Sequence, residues 1–234
     1  MNKNEIIDLS ILNQVPQLDT HVLLQIRPLS PLSMVSEMPG SFYKSLRYPS
    51  KKMICGMLEN MLGWHFDIKL RKAIFDDWKI IMKRQKKAVN LNDYQQGSRF
   101  IPLLMDYFEL KGEPSLDDFK EMCSYIDLWN RCYRREDSSM HLNGCRNIDE
   151  KLIPERYEVS NGDKEKWFKE NVCYIPCFYT TPTNREYVDI DGVYVIPLNM
   201  DKKLVDLFES ANIGTCYLGN SEGWVIVNIK ATEL

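Results

Sequence analysis

The chain reads as an α+β domain built on a ferredoxin-like sheet. Three observations predict this. An early apolar strand is followed by two amphipathic helices, and the last third turns β-rich with one short helix between its strands. The order is therefore strand, helix, mixed insertion, strands, helix, strands. At 234 residues, 44% hydrophobic and 27% charged, the composition is that of a globular protein with a substantial core. No linker convincingly separates two domains, so residues 1–234 are expected to form one domain with an insertion at about 76–140.

Residues 1–19 are polar with scattered Ile and Leu and read as an N-terminal extension. Thr20 to Leu29, THVLLQIRPL, reads as a strand that closes on Pro28, apolar at nearly every position to Ile26 as expected of a strand with both faces covered or of a central strand. A loop with two prolines leads to PGSFYKSLRYPSKKMICGMLENMLGW, residues 39–64. Pro49 biases its predecessor away from helical angles and Ser50 stands where an N-cap is wanted. Met53, Met57, Leu58, Met61 and Leu62 then recur at helical spacing, and Gly63 stops the helix. Ser50, Lys51 and Lys52 occupy the first turn, where cations oppose the helix dipole. A hydroxyl, free backbone N–H groups and two lysines at one helix start suit a phosphate; a solvated helix face is the plainer account.

Trp64-His65-Phe66 forms an aromatic corner, with His65 and the strand residue His21 expected in the core. Residues 68–89 give an amphipathic helix with Leu70, Ile74, Trp78 and Ile81 on one side and lysines on the other. SRFIPLLMDYFEL is ambiguous between strand and short helix because of Pro102. Ser115, with Asp118 three residues on, reads as the cap of a helix running to about Tyr133. Residues 154–170 are highly charged and read as a surface excursion. Asp191-Gly192, between YVDI and VYVIPL, is a hairpin signal. Asp201 to Ala211 reads as a helix, and Gly214 to Ile229 as a hairpin turning at Asn220-Ser221-Glu222-Gly223.

The net charge of −3 conceals an asymmetry. Residues 44–87 hold twelve Lys or Arg against four acids, an excess of eight positive charges that leaves the rest of the chain at −11. A basic segment on an acidic body is the footprint of local polyanion contact. Tyr43, Lys44, Ser45, Arg47, Tyr48, Ser50, Lys51 and Lys52 combine phosphate-binding groups with rings on which bases stack. Lys83, Arg84, Lys86, Lys87 and Arg99 extend the cationic set by charge alone.

Seven cysteines without a secretory signal read as reduced thiols. Cys173 and Cys177 lack the second ligand pair that zinc wants, and His141 with Cys145 supplies it poorly, so no metal or other cofactor is expected. No apolar run reaches the roughly 18 residues of a membrane span, and the chain is read as soluble and cytoplasmic, with no membrane contact. Enzyme motifs are absent: no P-loop, no G-x-G-x-x-G, no H-E-x-x-H, no G-x-S-x-G. A metal-independent ribonuclease could still draw on His21, His65 or His141 as general base.

The strand Leu23 to Pro28, the turn Pro39 to Ser45, and the helix with Ser50, Lys51, Lys52, Gly56, Leu58, Glu59, Leu62 and Gly63 resemble the N-terminal signature of the fifth family of CRISPR-associated (Cas) proteins. The LGNSEGW turn resembles a degenerate form of the glycine-containing C-terminal loop of the wider superfamily. The resemblance implies an RNA-recognition-motif-like sheet interrupted by a thumb-like insertion. It also implies a non-catalytic subunit of a type I Cascade, with subtype I-B a candidate. Such a subunit caps the 5′ handle of the crRNA and bridges the backbone subunit and the large subunit near target DNA. Two other readings stay open: an endoribonuclease that processes the guide RNA, and a protein-interaction domain that binds no RNA.

Overall fold

The computed structural model of the chain describes residues 7–36, 42–87, 89, 94, 100–129, 132–133, 178–179, 183–211, 214–220 and 222–232. The chain divides into two compact units, residues 1–127 with 185–234, and residues 128–184. In the second, the described strands β5 (Cys132–Tyr133) and β6 (Phe178–Tyr179) pair antiparallel. The Cys173/Cys177 pair, His141 with Cys145, and the 154–170 stretch lie outside the described residues.

The first unit is the α+β ferredoxin-like domain. Its centre is β1 (Thr20–Pro28), which pairs antiparallel with β7 (Thr183–Met200) on one side and with β9 (Trp224–Ala231) on the other. Beyond β9 lies β8 (Thr215–Tyr217), and β2 (Phe42–Tyr43), β3 (Phe108–Leu110) and β4 (Ser115–Trp129) all pair with β7. This is the split β-α-β arrangement, in which the first strand sits between β7 and β9. The core side of the sheet is read directly from the pleat. Val22, Leu24 and Ile26 of β1 meet Tyr194, Ile196 and Leu198 of β7 and Val227 of β9, all at 7% exposure or less.

Three helices complete the unit among the described residues. In α1 (Lys51–Met61) the Ser50 hydroxyl accepts from the Met53 N–H at 3.3 Å, as a cap should, and Ile54, Cys55, Met57, Leu58 and Met61 are buried. Gly63 ends it with a φ of +70°. In α2 (Ile68–Arg84) Asp67 is the cap, accepting from Lys69 and Leu70 at 2.8 and 2.7 Å. For α3 (Lys202–Ala211) the buried Asp201 caps Lys203 at 2.9 Å and also accepts the Gln17 N–H at 2.8 Å. No described helix is long and apolar enough to cross a membrane.

Several expectations are corrected. Ser115 to Trp129 is a strand, not a helix, because its backbone pairs along β7; its side chains are mostly exposed, so apolar periodicity carried no burial signal there. Asp191-Gly192 is no hairpin turn but mid-strand. A Cβ on Gly192 would stand 3.3 Å from the Asp117 carbonyl oxygen and the Phe119 Cα, so this glycine lets β4 close on β7. The N-terminal extension forms a 3-10 turn, Ser10–Asn13, with Ile11 and Leu12 in the core. Helix α2 ends at Arg84, where Lys86 adopts a φ of +56°.

Candidate nucleic-acid interface

The segment after β2 is fixed by its backbone and leaves specific side chains outside. The Ser45 N–H donates to the Glu186 carboxylate at 3.0 Å, while the Ser45 hydroxyl accepts from the Met34 N–H at 2.9 Å and donates to the Leu46 carbonyl at 3.1 Å. Ser45 is thereby buried as a structural pin. Two residues on, the Tyr194 phenol donates to the Arg47 carbonyl at 2.6 Å, and its ring meets Tyr48 edge-on at 5.9 Å. Burial pushes the Tyr194 pKa up, so the phenol stays a donor. Lys44 and Arg47 project to solvent beside Tyr48, which is 41% exposed. Tyr43 is half-buried under the Arg185 guanidinium, 5.4 Å from its ring centroid.

The helix start is used differently. Ser50 is committed to capping, the Lys51 ammonium lies 5.4 Å from the Phe108 ring centroid, and the Lys52 ammonium donates to the Tyr94 carbonyl at 3.0 Å. Burial of Lys52 lowers its pKa. Of the first-turn groups, then, the hydroxyl serves the cap and both ammonium groups have partners in the fold. Lys83, Arg84, Lys86 and Lys87 are exposed at the far end of α2. There Gln85 shares a cleft with Gln14, Gln17, Asp201 and Lys203 rather than with the Lys44 to Tyr48 ridge. Arg99 lies outside the described residues.

Arg71, counted in the basic segment, is buried. Its guanidinium bonds the Glu59 carboxylate, the Trp64 carbonyl at 2.9 Å and the Ile101 carbonyl at 3.1 Å, and lies 4.5 Å from the Phe100 ring centroid. Its charge belongs to the core, not to a ligand. His65 is exposed, with Nε2 3.4 Å from the Asn60 amide, because Trp64 turns inward in its place; His21 is half-buried on β1. His141 lies outside the described residues.

Sequence reasoning missed a tyrosine pair between β4 and β7 and the contacts that run from the C-terminal loop to the ridge. Tyr125 of β4 stacks on Tyr187 of β7, with centroids 5.5 Å apart and planes 15° from parallel. The Tyr187 hydroxyl reaches the Glu222 carboxylate at 3.4 Å. Ser30 holds this loop in place, donating to the Glu222 carbonyl at 2.9 Å and accepting from the Trp224 N–H at 3.0 Å. Gly219, at φ +80°, lies so close to the 29–35 loop that a Cβ would stand 2.6 Å from the Ser33 carbonyl oxygen. Next along that loop, Met34 bonds Ser45 and Leu46. The glycine loop, the 29–35 loop and the Lys44 to Tyr48 ridge are one layer of successive contacts. The signal was in the sequence, as Gly219 and Gly223, but nothing local said what they pack against.

The ridge can hold a single strand: two exposed cations and an exposed phenol ring, on a backbone that other side chains immobilise. A comparison with curated protein sequences finds none that matches the chain. The family model of CRISPR-associated protein Cas5p matches residues 7–229, nearly the whole sequence and all of the first unit's described elements up to most of β9. With β1, the ridge, α1 and the glycine loop all inside that match, the chain belongs to the Cas5p family of CRISPR-associated proteins.

Proposed function

We propose that this chain is the non-catalytic subunit of a type I Cascade that holds the 5′ handle of the crRNA and links the backbone subunit to the large subunit near target DNA. Family membership gives it a CRISPR-associated role. The observation that carries the finer reading is the ridge: Lys44, Arg47 and Tyr48 face solvent while Ser45, Glu186 and Tyr194 lock the backbone that bears them. Phosphates would meet Lys44 and Arg47, and an unstacked base the Tyr48 ring.

Binding of a labelled RNA carrying a repeat-derived 5′ handle, measured by anisotropy over a salt series with the RNA checked on a gel, tests this reading. Wild type should bind with a salt slope that flattens by roughly 1.4 in Lys44→Ala/Arg47→Ala, about 0.7 for each single-strand phosphate that the protein no longer neutralises. An unchanged slope and affinity in that variant would remove the ridge as the handle seat. Shortened RNA without added metal, abolished by His21→Ala, would replace the reading with that of an endoribonuclease.

A further inference from the structure

The two faces of the sheet differ in kind. Opposite the core-facing residues, β1 presents His21, Leu23, Gln25 and Arg27. The strand registers set Arg27 beside Ile226, Gln25 beside Asn228 and Leu23 beside Lys230 on β9, then Trp224 beside Tyr217 and Ile226 beside Thr215 on β8. None of these ten positions is buried, and none is a carboxylate, in a chain with 33 Asp and Glu. They hold an arginine, a lysine, a histidine, two primary amides, an indole and a phenol.

Trp224 is 49% exposed and Tyr217 meets it edge-on, with centroids 6.2 Å apart at 86°, so the indole is propped upright with ring surface free. At the other end of β1 a cleft of about 220 Å³ lined by His21, Leu23, Lys111, Pro197 and Thr232 continues the strip. Acids approach it from its edges: Asp118 lies 4.0 Å from Arg27, with both side chains largely exposed, and Glu109 pairs with Lys111 at 3.1 Å. Exposed pairs of this kind are weak and exchange readily for a phosphate. From His21 to Arg27 the strip runs about 20 Å, at roughly 3.3 Å per residue.

We propose that this outward face of β1, β9 and β8 is a second nucleic-acid site, taking a short single strand with one base on Trp224, its phosphates on Arg27 and Lys230, and base edges against Gln25 and Asn228. A protein partner fits less well. The apolar part is confined to Trp224, Ile226 and Leu23 and is interrupted by amides and cations, whereas the core of a protein interface is depleted in charge. A single strand asks for the mixture present here, rings for bases and cations for phosphates. The site is also continuous with the glycine loop, since Ser30 joins the Trp224 N–H to the Glu222 carbonyl.

The test uses the full chain and homopolymer probes without handle sequence, oligouridine and oligothymidine about six nucleotides long. Binding is followed by quenching of tryptophan emission and by anisotropy. Trp224→Ala should weaken binding roughly 5- to 100-fold, the loss of one stacked base, with Trp224→Phe retaining part of it. Arg27→Ala/Lys230→Ala should flatten the homopolymer salt slope, whereas Lys44→Ala/Arg47→Ala should lower handle affinity by a clearly larger factor than homopolymer affinity. That last variant separates this site from the handle seat, so either can fail alone. A preference for oligouridine would name RNA as the ligand and a preference for oligothymidine a DNA strand, and each supports the site if abolished in Trp224→Ala. Homopolymer affinity unaltered by both Trp224→Ala and Arg27→Glu/Lys230→Glu would overturn it. So would a self-association seen by sedimentation that Trp224→Ala abolishes while oligomer binding stays intact.

Discussion

Arg71 of α2 donates to the carboxylate of Glu59 on α1 inside the core, the two side chains exposed by only 6% and 1%. The Glu59 carboxylate also receives the Leu103 and Leu104 N–H groups and the Cys55 thiol, and Arg71 finishes on two backbone carbonyls. The pair thus ties both helices to the loop at 101–104. Each partner makes the other's burial tolerable, so removing one leaves an uncompensated charge. Arg71→Leu should cost about 3–5 kcal/mol, read as a lower urea midpoint. Glu59→Leu/Arg71→Leu should recover part of that loss, because no isolated charge remains.

The glycine loop is conformationally demanding at one position. Gly219 combines a φ of +80° with no room for a Cβ beside the Ser33 carbonyl. Gly219→Ala should destabilise by more than about 1 kcal/mol. If the loop instead shifts to relieve the clash, the ridge that hangs from Met34 shifts with it. Thermal unfolding and handle affinity should therefore both fall, whereas Gly214→Ala, whose Cβ would meet only the Val227 carbonyl oxygen at 3.9 Å, should change neither.

Alkaline pH should unfold the domain early. Burial pushes the Cys216 thiol up to about 12 and raises Tyr94, Tyr107 and Tyr194 as well, Tyr94 helped by Asp106 beside it. Each group holds its proton in the fold and releases it at lower pH when unfolded. The sign follows: their stabilisation is complete below the ordinary value of 9.0 for the thiol and lost as pH rises from there toward 12. The thermal midpoint should be flat from about pH 7 to 8.5 and fall steeply above about 9.5. Cys216→Ser should reduce that fall, and one as steep in the variant would assign it to the tyrosines and to the buried Cys55 thiol, which burial also pushes up.

Much of the fold was legible where local chemistry and burial agree. Ser50 and Gly63 bracket α1 as their residue types require, and the alternation of Val22, Leu24 and Ile26 is the core face of β1. It failed where the deciding partner was distant in sequence. Ser115 to Trp129 has helical apolar spacing, yet its backbone pairs with β7, a strand far along the chain, and Gly192 serves that approach instead of a turn. The candidate site divides in the same way. Lys44, Arg47 and Tyr48 are exposed as charge and aromaticity suggested, while Arg71 looked like one more surface cation until Glu59 and Phe100 stood around it. A count of charges cannot tell a phosphate ligand from half of a buried pair.

That distinction predicts different consequences for two lysines of the same basic segment. The Lys52 ammonium is spent on the Tyr94 carbonyl and half-withdrawn from water, so Lys52→Met should cost about 1.5–3 kcal/mol, the range for a hydrogen bond to a charged group. Its effect on handle RNA should be small once the protein is folded. Lys44 is exposed and pins nothing, so Lys44→Ala should leave stability within about 0.5 kcal/mol while weakening RNA binding in a salt-dependent way. Urea unfolding and RNA titration of the two single variants, both at a temperature where each is folded, form the comparison. If instead Lys52→Met leaves stability intact and flattens the salt slope, the first turn of α1 is a phosphate seat after all, and its lysine leaves the Tyr94 carbonyl to meet the RNA.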